Sequence, residues 1–206
     1  MTNRFDRLTA LNHDAQLAFP YVTLFDPNEN TTLEMARELI EKGAPGLILG
    51  LPFSDPCADT PAQAAAAQRA LAAGATTEGA FELVARIRAL APELPLALVT
   101  YLNPAVAFGF DAFTQKLADV GIDALLMPDL PSSMRLQVPD FDQAAQKAGL
   151  ILGAFVSTQM RGDTLSQLAN KTYGLMVTCH PDGKQTLPFG RILTDDVALL
   201  CGKTYP

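Results

Sequence analysis

The chain has 206 residues and is 49% hydrophobic, enough to bury a substantial core; no shift in composition marks a second domain, so residues 1–206 are expected to form one unit. Fifteen basic residues stand against 22 acidic ones, a net charge of −7 with no lysine or arginine cluster. That balance argues against nucleic acid or an anionic membrane as partner and leaves a small organic substrate or another protein.

The opening residues Met1 to Arg7 lack the apolar core of a signal peptide, and no apolar run is long enough to span a membrane, so a cytoplasmic location is expected. Cys57, Cys179 and Cys201 show no Cys-x-x-Cys spacing, which points to neither a disulfide framework nor a metal site.

In chain order, extended apolar runs alternate with amphipathic segments, the rhythm of βαβ units around a buried parallel sheet. Strands are expected at about 18–24, 45–49, 95–100, 123–127, 150–155 and 173–178. Thr31 or Thr32 can cap a first helix that carries Leu33, Ala36, Leu39 and Ile40 on one face and ends at Gly43. Pro61, after Thr60, suits the first position of an alanine-rich helix that Gly74 closes, and Thr77 can cap the next. Further helices are expected at about 112–120, 139–148 and 163–169. After Val177 the chain reads as loop, and no sequence for a seventh or eighth strand is evident.

The run Gly50-Leu51-Pro52-Phe53-Ser54-Asp55-Pro56-Cys57-Ala58-Asp59-Thr60-Pro61 places polar and turn-forming residues directly behind the second strand. In an α/β barrel the segment past a strand's C-terminal end faces the active-site mouth, which makes Asp55 and Asp59 candidate functional carboxylates. Asp59 could equally cap the helix that starts near Pro61, with Thr60 competing for that role. Tyr101 and Asn103 follow the third strand and reach the same mouth, where Tyr101 either flanks a ligand or fills space. His13 and His180 have no surroundings that single them out for catalysis or metal binding.

The loop, together with Pro20 to Leu24 followed by Asp26-Pro27, Tyr101 with Asn103, and Asp129-Leu130-Pro131, resembles the tryptophan synthase α subunit over about residues 4–178. The resemblance implies a TIM-type (β/α)8 barrel, here with about six βα units. It implies a carbon–carbon lyase of tryptophan biosynthesis that cleaves indole-3-glycerol phosphate by a retro-aldol step to indole and glyceraldehyde 3-phosphate.

That reaction needs an acid for indole C3, a group to bear charge at the ring nitrogen and a base for the glycerol hydroxyl. By resemblance Asp59 is the carboxylate that accepts the indole N–H. Ile48 stands where the family has its catalytic glutamate, and an isoleucine can neither give nor take a proton, so activity is expected to be impaired. The resemblance also places Tyr21, Val99, Tyr101, Asp129 and Val177 around the substrate, Val177 replacing a common tyrosine. Gly183 belongs to a loop that could offer the phosphate one backbone contact. Pro52, Asp55 and Pro56 match the loop that packs on a β subunit. No cofactor is expected in this chain, pyridoxal phosphate belonging to that partner. Two other readings fit the same residues: a non-catalytic protein that binds a β subunit, and a truncated remnant whose strand edges stay unpaired.

Overall fold

The computed structural model describes residues 4–5, 18–130, 138–156, 175–178 and 198–203. Its strands are β1 (Ala18–Thr23), β2 (Leu47–Gly50), β3 (Leu96–Val99), β4 (Ala124–Leu126), β5 (Ile151–Val156), β6 (Leu175–Thr178) and β7 (Ala198–Lys203). They pair in parallel in sequence order, and β7 also pairs with β1 through Ala18↔Cys201 and Pro20↔Lys203, so the ring closes.

The α/β barrel expected from the sequence is therefore present, with seven strands among the described residues, but β7 was not anticipated. Its run Ala198-Leu199-Leu200-Cys201 is a short apolar stretch of the kind a fully buried parallel strand uses, and it carries no period that separates it from a loop end. Because β7 joins β6 to β1, the described strands have no unpaired edge, contrary to the remnant reading.

Between the strands lie α1 (Glu29–Glu41), α2 (Pro61–Ala72), α3 (Thr77–Leu90), α4 (Leu102–Phe108), α5 (Phe110–Asp119) and α6 (Pro139–Lys147). The segment at 163–169 lies outside the described residues. Two caps fall earlier than expected, by three or more residues in α1 and by one in α3. Asn28, not Thr31 or Thr32, caps α1, its side-chain oxygen accepting the Thr31 N–H at 3.0 Å, while Thr32 is buried with its hydroxyl on the Asn28 carbonyl. Thr76, not Thr77, caps α3. Asparagine outranks threonine as a cap, and at Thr76-Thr77 the sequence offers two equivalent hydroxyls. Helix α4 was unanticipated; Asn103 and Pro104 in its first turn read as loop punctuation.

Strand alternation sorts the apolar residues onto two faces. Leu47, Leu49, Leu96, Leu98 and Leu125 point outward and meet the helices through Phe81, Leu83, Ile87, Phe113 and Leu117. Phe19, Ile48, Ala97, Val99, Ala124 and Leu126 point inward, joined by Tyr21 and, from the N-terminal segment, Phe5. Large and small side chains alternate in this interior. Gly46 and Gly50 flank Ile48 on β2, and Cβ atoms there would collide with the rings of Phe19 and Tyr21. The barrel is thus a packed core whose aromatic filling from β1 depends on Gly46, just before β2, and Gly50 at its end.

The N-terminal end of the ring is held by charge. Asp123, 4% exposed, accepts from Arg4 at 2.7 Å, Arg88 at 2.9 Å and the Leu96 N–H at 2.9 Å. Arg88 also donates to the Gly121 carbonyl, and burial lowers its pKa from the usual arginine value against the opposing pull of Asp123. Phe5 stacks on Phe19, so residues 4–5 close this end of the barrel with both an ion pair and a ring.

Candidate active site

The opposite end carries the candidate chemistry. Backbone pairing outlasts the strands there: Leu24 N–H donates to Gly50 O, Leu51 N–H to Val99 O and Thr100 N–H to Leu126 O, at 2.9, 2.9 and 3.0 Å. The loop after β2 therefore leaves a fixed rim. Its far end is fixed too, because Thr60 and Gln63 form a reciprocal capping box at the start of α2, with Pro61 in the first turn. Thr60 fills the capping role, which leaves Asp59 for another.

Asp59 is half-buried, and its Oδ1 accepts the Tyr101 hydroxyl at 2.6 Å. The same hydroxyl oxygen accepts the Ala58 N–H at 3.1 Å. Tyr101 is 4% exposed and its ring stacks on Phe53 with centroids 5.2 Å apart. Burial pushes its hydroxyl well above the ordinary tyrosine range, and the hydrogen bond to Asp59 acts in the same direction. At neutral pH Tyr101 is thus a donor held on a carboxylate. The second oxygen of Asp59 has no hydrogen-bond partner among the described residues and can accept one further N–H or O–H.

Ile48 lies inside the barrel, 2% exposed, in register with Tyr21 on β1 and Ala97 on β3. Among the described residues it packs in one apolar cluster with Phe19, Ala97, Val99, Ala124 and Leu126. Val99 lines the same interior, and Tyr21 projects along it to the mouth end of β2 at Gly50. Val177 lies on β6 in register with Phe155 and Leu200. Gly183 lies outside the described residues, as do His13, Cys179 and His180.

Asp129, which the resemblance places around the substrate, accepts the Leu102 N–H with both oxygens at 2.9 and 3.2 Å. It thereby satisfies the first turn of α4, which has no side-chain cap of its own. Asp26 forms a bidentate pair with Arg69 at 2.8 Å for each bond, tying the β1 loop to α2.

Pro52 borders an open groove of about 430 Å³ between the β2 loop, the start of α3 and α4. Phe53, Thr76, Asn103 and Phe108 line it as well, so Asn103 belongs to this groove as well as to the segment that carries Tyr101. Asp55 is exposed and accepts the Ser54 hydroxyl, and Pro56 is half-buried. Phe53, whose ring supports Tyr101, was missed from the sequence; an apolar residue within a loop carries no signal of what it stacks on. The capping box was legible as Thr60-Pro61-Ala62-Gln63.

A parallel α/β barrel with a carboxylate held at its C-terminal mouth, in the loop after the second strand, defines the class of protein. Residues 7–183 match the family described as tryptophan synthase alpha chain, and the chain belongs to that family. The alpha chain of Shewanella oneidensis is 40% identical over 170 residues, 82% of this chain and 59% of that protein. That of Haemophilus influenzae is 42% identical over 147 residues, covering 71% and 53%. This chain thus spans between half and three-fifths of the length of these relatives. Among solved structures, the alpha subunit from Legionella pneumophila superposes with a TM-score of 0.80 at 28% identity, covering 89% of this chain and 70% of that one. A structure of the a2b2 complex from Pyrococcus furiosus gives a TM-score of 0.71 at 29% identity, covering 79% and 63%. No helix among the described residues is long and apolar enough to cross a membrane.

Proposed function

We propose that this chain acts as an α-subunit-like protein of tryptophan biosynthesis in the cytoplasm, binding indole-3-glycerol phosphate at the barrel mouth and cleaving it poorly. The observation that carries the reading is Asp59. With the cap supplied by Thr60 and one oxygen held by Tyr101, its other oxygen is available to accept an indole N–H and to stabilise positive charge as it develops on the ring nitrogen. Tyr21 and Val99 supply apolar surface for the ring. Asp129 acts indirectly, by fixing the start of α4 below Tyr101. Val177 and Gly183 are proposed to border the substrate from β6 and the following loop.

The retro-aldol step breaks the bond between indole C3 and the glycerol side chain once C3 is protonated and the glycerol hydroxyl gives up its proton. Asp59 can stabilise the charged ring, but Ile48 offers no proton to C3. General acid–base groups typically contribute about 10²–10⁴-fold in rate, so the expected result is substrate binding with little indole release.

The groove beside Pro52 favours a second function in the same protein: docking on a β subunit, with Pro52, Asp55 and Pro56 on the contacting loop. The P. furiosus relative is described in an a2b2 complex. Pyridoxal phosphate would then belong to the partner. Calorimetric titration of indole-3-glycerol phosphate into the purified chain, with an indole assay of the same solution, tests the substrate reading. Saturable binding that Asp59→Ala weakens by about tenfold or more supports it, and unchanged binding in that variant contradicts it.

A further inference from the structure

We propose that Tyr101 is a positioning residue: its hydroxyl fixes the Asp59 carboxylate so that the free oxygen faces the ring N–H of the ligand, and ligand discrimination depends on that bond. This inference rests on the reading of Asp59 as the N–H acceptor.

Three contacts on one side chain carry it. The Tyr101 hydroxyl donates to Asp59 Oδ1 at 2.6 Å and accepts the Ala58 N–H at 3.1 Å, so it holds the backbone and the side chain of adjacent residues at once. Its ring is fixed against Phe53 of the same loop, and only 4% of the residue is exposed. Tyr101 itself stands on a fixed base, since Asp129 holds the Leu102 N–H and Thr100 N–H is bonded to Leu126 O. Rigid β3 and β4 thus set the position of a carboxylate that the β2 loop alone would leave to rotate. A ligand N–H then meets one prepared oxygen, and the second is already satisfied. Tyr101 need not touch the ligand to control how well the site distinguishes an N–H from a C–H.

The test compares the affinity of the full chain for indole and for indene, which has nearly the same shape but a ring CH2 in place of the N–H. The unmodified chain is expected to prefer indole by about tenfold, the scale of a hydrogen bond to a charged group. Asp59→Ala should abolish the preference. Tyr101→Phe, which keeps the ring and its stack, should reduce it to about twofold or less. Thr60→Ala, which loosens the loop's far end without touching the pair, should weaken the fold but retain the preference. If Tyr101 were only a packing residue, Tyr101→Phe would lower both affinities together and keep their ratio, which would overturn the inference alone. Equal affinity for indole and indene in the unmodified chain would overturn the reading of Asp59, and the inference with it.

Discussion

The hydroxyl of Tyr21 occupies the space a Cβ on Gly50 would fill, so the mouth end of β2 is shaped by a ring from β1. The same relation holds lower in the barrel between Phe19 and Gly46, where the Pro95 carbonyl closes the remaining space. A side chain at either glycine must move an aromatic ring inside a packed interior.

Gly50→Ala is therefore expected to destabilise the protein by about 1–3 kcal/mol, the usual cost of overpacking. Gly46→Ala should cost at least as much, because the backbone carbonyl cannot swing aside as a ring can. Urea unfolding followed by circular dichroism measures both. A Gly50→Ala variant as stable as the parent would show that Tyr21 has another place to go.

Asp123 is bonded to two arginines and a strand N–H at the N-terminal end of the ring. Asp123→Ala leaves Arg88 half-buried without its anion and the Leu96 N–H without its acceptor. The expected cost is about 3–5 kcal/mol, the range for breaking a buried ion pair from one side. Arg4→Ala removes only the more exposed partner and should cost much less. Equal losses for the two variants in chemical denaturation would contradict this division.

Thr60 and Asp59 are neighbours with different tasks. Thr60→Ala should cost about 0.5–2 kcal/mol through loss of the cap on α2. Asp59→Ala should cost less than that in stability while removing the ligand acceptor. Unfolding midpoints of the two variants, taken beside their indole affinities, check the separation. A larger stability loss at Asp59 than at Thr60 would return Asp59 to a structural role.

Tyr101 gives a pH dependence of definite sign. Its hydroxyl is raised in the folded protein by burial and by Asp59, whereas the unfolded chain ionises near the ordinary tyrosine value of about 10. The stability it contributes is fully present below that value and is lost as pH rises above it, because the unfolded state releases its proton first. The stability difference between the parent and Tyr101→Phe should therefore hold constant up to about pH 9 and shrink as pH rises past about 10, ionisation of the other tyrosines cancelling in the comparison. A difference that grows with pH would reverse the assigned shift.

The barrel was legible in the sequence because both faces of its strands are apolar. Runs such as Leu47-Ile48-Leu49 and Leu96-Ala97-Leu98-Val99 have no polar alternation, and capped amphipathic helices separate them. The loop from Pro52 to Pro61 stood out as a candidate site because polar residues follow a buried strand at once. The partnership of Tyr101 with Asp59 was not. It joins residues 42 positions apart, and neither residue type announces its partner. The bond from Asp129 to the Leu102 N–H at the start of α4 was illegible for the same reason. Strand β7 escaped because a short apolar run after a long segment without clear periodicity has no rhythm of its own, and only pairing with β6 and β1 reveals it.

The central claim is that this mouth keeps its charge-stabilising carboxylate at Asp59 and lacks a proton donor at Ile48. The most direct measurement is indole release from indole-3-glycerol phosphate by the purified chain and its Ile48→Glu variant, each with a tryptophan synthase β subunit present. Release from the variant at about 10²-fold or more above the unmodified chain is the predicted result. Equal rates, whether both active or both silent, would contradict it, by showing either that another residue supplies the proton or that Ile48 is not what stops the reaction.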